Sequence, residues 1–205
     1  MISRHIGFSG AWIIGSLIAG ATGAIADMTA PAAIEIAAEP LLTAAVDATP
    51  AAVTFEPWEV PDLFVIDVPT GWITAAAADE ARAVIASYDA ATQAPQPTDV
   101  ATAIVLVPEP PETYVPQQLD ALIEAALAGE FAIDRYGITS VGGNDAFRLW
   151  MEQMPGEFSR QVITFVGDGR GRTATIVSSY DDDSAATREL LVQMHGSFDF
   201  ISPEE

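Results

Sequence analysis

Three groups of residues in this sequence carry chemistry that could act on another molecule. They are His195, the carboxylate run Asp181-Asp182-Asp183, and the arginines of Gly167-Asp168-Gly169-Arg170-Gly171-Arg172. A histidine near neutral pKa can serve a serine hydroxyl as general base. No G-x-S-x-G turn is present to present that serine. His195 therefore reads as a structural residue, either at a helix end, where an imidazolium suits the negative end of the dipole, or partly buried. Hard cations take carboxylate oxygens, but the alternate ligands and glycine of a calcium loop are missing around Asp181. A helix cap explains Asp181-Asp182-Asp183-Ser184 without a metal, and no metal site is expected. Arg170 and Arg172 put two positive charges on the tip of a hairpin. They are the binding candidates, for an acidic protein partner or an anionic ligand; the plainer reading is edge-strand charge that limits aggregation. No catalytic residue stands out. Acids are numerous enough for a glycoside-hydrolysis pair, but nothing singles out one. Trp58, Trp72 and Trp150 fit a ligand groove or, more simply, a core.

Absences narrow the chemistry further. All eight basic residues are arginine and none is lysine, so Schiff bases, pyridoxal enzymes and the lysine of a phosphate loop are excluded. Without cysteine there is no thiol nucleophile, no cysteine-ligated zinc or cluster and no lipoprotein anchor. No cofactor is expected. A formal net charge of −21 repels phosphate backbones, so nucleic acid is not an expected partner.

The elements that must position these residues begin with 142–200. Residues 146–151 alternate, with Phe147, Leu149 and Met151 on one face and Arg148 and Trp150 on the other. Pro155-Gly156 supplies a turn. Residues 160–166 and 172–180 are β-branched strands, joined by the glycine-rich 167–171 hairpin. A helix follows, with Ala186, Leu190 and Met194 on one face, Leu191 beside them and Gly196 as its stop. Phe198, Phe200 and Ile201 then return to the core. Three antiparallel strands under one helix leave the other sheet face bare, so upstream elements must cover it.

Upstream, residues 64–68 form a strand stopped by Pro69-Thr70-Gly71, and residues 103–107 form a buried one. A helix is expected over 79–91, burying Ala77, Ala81, Val84, Ile85 and Tyr88. A second helix opens with Pro116 in its first turn and ends at Gly129. Leu119, Leu122, Ile123, Ala126 and Leu127 make its stripe. Residues 108–112 read as a stiff exposed connector and 131–141 as a strand. Residues 1–26 look like a signal peptide, with Arg4, an uncharged apolar run and Ala24-Ile25-Ala26 at the cleavage position. An uncleaved membrane anchor is the competing reading. Residues 27–57 are an acidic Ala/Pro-rich linker, and 58–205 one globular domain.

The strand followed by Val68-Pro69-Thr70-Gly71-Trp72 resembles the opening of the PsbP-like and DcrB-like families, and the last helix running into Gly196-Ser197-Phe198 resembles their ending. The resemblance covers roughly 61–201. It implies an α+β fold: a mostly antiparallel sheet with helices on both faces, an α/β/α sandwich. Those families carry no shared catalytic motif, and the basic docking surface of PsbP is missing here. The resemblance implies an exported, periplasmic or secreted, non-catalytic accessory or binding protein. The alternative is a periplasmic hydrolase using carboxylates or His195.

Overall fold

The computed structural model describes residues 53–201. The signal-peptide expectation and the linker up to residue 52 lie outside the described residues. Chain order is β1 (Phe55–Val60), β2 (Phe64–Pro69), β3 (Ile73–Ala77), β4 (Arg82–Ala86), β5 (Val100–Val107), α1 (Pro111–Leu127), β6 (Ala132–Val141), β7 (Asn144–Glu152), β8 (Arg160–Gly167), β9 (Thr173–Tyr180), α2 (Ala185–Gly196) and β10 (Asp199–Phe200). Seven strands form one sheet in the order β3-β4-β5-β9-β8-β7-β6, every pair antiparallel. β1, β2 and β10 form a second, smaller antiparallel sheet.

Period-two alternation explains why two cores exist. On β8, Val162 and Val166 point to one core while Ile163 and Phe165 point to the other. The first core holds Leu191 and Met194 of α2, together with Phe64, Ile66 and Val68 of the small sheet. The second holds Leu122 and Ala125 of α1 against Leu149 and Met151. The architecture is therefore α+β and mostly antiparallel, with one helix on each face of the large sheet. Each large apolar side chain buried this way contributes about 1.5–3 kcal/mol.

Four local expectations are corrected. Residues 79–91 do not form a helix: a single 3-10 turn at Ala78–Glu80 is followed by β4. Ala81 takes φ +51°, which breaks a right-handed helix, and β4 then buries Ala83 and Ile85 as alternate residues between β3 and β5. The helix expected at Pro116 starts at Pro111, so Pro111 and Glu112 are not connector, and Pro116 lies inside α1. Gly196 is the last helical residue rather than a stop. Ser197 ends α2 instead, donating through Oγ to the Met194 carbonyl at 2.8 Å and accepting the Asp67 N–H at 2.8 Å. Phe55, Glu56 and Pro57, read as the end of the linker, belong to β1.

Candidate functional site

The β8–β9 hairpin turns on one carboxylate. Gly169 and Gly171 adopt φ of +68° and +95°, which fold the tip back on itself. Asp168 fills the space beneath, its side chain 3% exposed. Its Oδ1 accepts the backbone N–H groups of Arg170 (2.7 Å) and Arg172 (2.9 Å), and its Oδ2 accepts Arg172 Nε at 2.6 Å. Burial alone would raise the Asp168 pKa. The hydrogen bonds from Arg172 and the backbone outweigh that and hold it below the usual carboxylate range.

The two arginines singled out by sequence thus take different roles. Arg172 is half-spent as a clasp on Asp168, and its guanidinium lies 5.4 Å from the centre of the Phe200 ring. The Arg170 side chain is exposed and makes no ion pair among the described residues. Both line a cavity of about 160 Å³ with Asn144, Asp168, Asp199 and Phe200. The β6–β7 turn closes its rim. Gly142 sits there at φ +56°, and a Cβ on it would lie 2.8 Å from the Phe198 carbonyl, so only glycine permits this approach. Sequence reasoning missed Asn144 and Asp199, which belong to strands distant in the chain. Asp168 was legible in principle, because Asp beside glycine favours turns closed by its own side chain.

His195 lies elsewhere. It is 0% exposed, and burial pushes its pKa down to about 3, with the Arg148 charge adding to the effect. The imidazole is neutral, so the expected imidazolium at the helix end is not present. Nδ1 is 2.8 Å from Thr164 Oγ1 and Nε2 is 2.8 Å from Ser178 Oγ. Arg148 Nε donates to Thr164 Oγ1 at 2.9 Å, and Ser178 Oγ is 2.6 Å from Thr102 Oγ1. If Thr164 accepts from Arg148, its own proton goes to Nδ1, which puts the imidazole proton on Nε2 and aims it at Ser178. All five groups then point one way along the chain. Ser178 and His195 meet at the distance of a nucleophile and its base, yet neither has exposed surface and the Thr164 hydroxyl, backed by Arg148, stands where a triad places its acid.

The acidic run is divided among separate tasks. Asp181 accepts from Ser159, Asp182 from Ser184 and Thr187, and Asp183 from Arg188, with Arg160 ion-paired to it at 3.3 Å. Ser184 caps α2 by accepting the Thr187 N–H at 3.2 Å. Among the described residues no group of three His, Asp or Glu side chains is placed to hold a metal ion. Trp150 packs edge-on to Tyr180, and Trp58 to Phe64; no tryptophan lines the cavity.

Fold and site together define an α+β sandwich with a notch at one hairpin tip lined by two arginines and two aspartates. No family model and no curated protein matches the sequence. Among solved structures, the chain is similar to CyanoP, the cyanobacterial PsbP of Synechocystis sp. PCC 6803. Identity is 14%, over 75% of this chain and 96% of that one, at a TM-score of 0.49. It is similar also to PA94 of Pseudomonas aeruginosa, a protein of unknown function, at 12% identity, over 74% and 98% of the chains, with a TM-score of 0.43. The PsbP-like resemblance read from Val68-Pro69-Thr70-Gly71-Trp72 recurs there as a likeness and nothing more. No helix among the described residues is long and apolar enough to cross a membrane.

Proposed function

We propose that this is an exported, non-catalytic accessory or binding protein whose β8–β9 hairpin receives an acidic group of a partner protein. The observation that carries the reading is Arg170: an exposed guanidinium at the mouth of a cavity, held in place by backbone that Asp168 has already fixed. A planar guanidinium recognises a carboxylate by two parallel hydrogen bonds. Asp168 neutralises Arg172 and leaves Arg170 as the donor. The signal-like 1–26 segment supports export to a compartment outside the cytoplasm.

The test is an NMR titration of the mature protein with a tetraglutamate peptide. Amide shifts are expected at Asn144, Asp168 and Asp199, with affinity about tenfold weaker in Arg170→Ala. Shifts that are absent, or equal in the variant, overturn the reading. N-terminal sequencing of the periplasmic protein checks export. A chain beginning at Asp27 is expected, and an intact Met1 terminus argues for the anchor.

A further inference from the structure

The free edge of the large sheet, β6, has an unusual surface. It is ten residues long and pairs only with β7. Natural edges of that length are guarded by charge, proline or a bulge. Here a bulge lies at one end, between Ile133 and Arg135. Beyond it come Tyr136, 73% exposed, and Ile138, 84% exposed. The two share one sheet face, where Phe147 of β7 stacks on Tyr136 with ring centres 6.1 Å apart.

The opposite face of the same edge is cationic. Arg135, Gly137 and Thr139 lie there, opposite Trp150, Arg148 and Ala146. Arg135 rests over the Trp150 ring at 4.5 Å, its nearest acid being the adjacent Asp134 at 3.9 Å. Arg148 is 9% exposed. Its Nε is taken by Thr164, and its two terminal nitrogens have no hydrogen-bond or carboxylate partner among the described residues. Those nitrogens reach the surface, since Thr175 Oγ1 alone is a buried side-chain polar atom without a partner among the described residues, and they are open to an incoming carboxylate. Among the described residues, the most buried arginine has another arginine beside it. Gly137, directly opposite, leaves open space over itself: a Cβ there would touch nothing within 4 Å.

We infer that β6 receives an extended segment of a partner protein as an eighth strand, with its acidic residues facing Arg135 and Arg148 across Gly137 and its apolar residues covering Tyr136 and Ile138. Strand addition supplies main-chain hydrogen bonds, and alternate side chains supply selectivity. The required pattern is acidic on one face and apolar on the other. The complementarity of charge picks an acidic strand over a basic one. This surface is distinct from the hairpin cavity and does not depend on the reading of Arg170.

The probe is a blocked peptide of about eight residues alternating Val and Glu, with a Val–Lys peptide and free glutarate as parallel arms. Binding to the mature protein is expected with Kd below about 1 mM, with slowed hydrogen exchange of β6 amides. Arg135→Ala and Ile138→Glu alter exposed side chains and keep both cores. Each is expected to weaken about tenfold the binding that protects the β6 amides. The proposal is overturned by no binding of the Val–Glu peptide, equal binding of the Val–Lys peptide, or indifference to both variants. Glutarate binding as tightly as the peptide also overturns it, in favour of a simple anion site.

Discussion

Thr175 sits on β9 with its Oγ1 buried and without a partner. An unpaired buried hydroxyl costs about 1–3 kcal/mol, and valine has nearly the same shape without it. Thr175→Val is expected to raise stability by about 1 kcal/mol, read as a higher urea midpoint at unchanged slope. A lower midpoint would show that the hydroxyl does have a partner. His195 is the opposite case, a polar group with both nitrogens satisfied. His195→Ala opens a cavity and strands Thr164 and Ser178, for an expected loss of about 3–5 kcal/mol. Its titration sets a sign. The folded pKa, about 3, lies below the unfolded 6.5, so the unfolded chain binds the proton first. The contribution is complete above pH 6.5 and is lost as pH falls toward 3, at about 1.4 kcal/mol per pH unit. Flat stability across that window would mean the imidazole protonates in the folded state. His195 was legible as structural and as partly buried, but its complete burial was not. The buried stripe is Leu191, Met194 and His195, whereas Ala186, Leu190 and Met194, with Leu191 beside them, fit helical spacing equally well in the sequence.

At the scale of elements, the carboxyl-terminal strands could be read from their pattern because β7 alternates, β8 and β9 are β-branched, and glycine or proline marks the turns between them. β4 could not. Arg82-Ala-Val-Ile-Ala satisfies both helical and strand periods over so short a length, and pairing with β3 and β5 decided it. The candidate site was half legible for a related reason. Spacing put Arg170 and Arg172 on one tip, but the close pass of β10 under Gly142 depends on chain folding over long range. α1 offers a direct test of its own geometry. Pro116, inside the helix, cannot donate to the Glu112 carbonyl. Pro116→Ala restores that bond and is expected to stabilise by about 1–3 kcal/mol in chemical denaturation. Destabilisation would mean that the proline ring is packed better than the restored bond is worth.

The whole molecule carries a formal charge of −21, and compaction brings those charges together. Ion pairs oppose this locally: Arg160 bridges Glu152 and Asp183, and Arg172 holds Asp168. Only the Asp168 carboxylate is withdrawn from solvent; the other partners are partly exposed and worth little each. Global repulsion is therefore expected to outweigh them. Raising sodium chloride from about 0.1 to 1 M shortens the screening length from about 10 to 3 Å. The melting temperature of the mature protein is expected to rise over that range by a few degrees. The same salt is expected to weaken acidic peptides at Arg170 and at the β6 edge, because those contacts are attractive. Opposite signs from one salt series separate the charge of the molecule from the charge of its sites. A melting temperature that falls with salt would show the arginine bridges dominate, and would place the acidic excess where repulsion is already relieved.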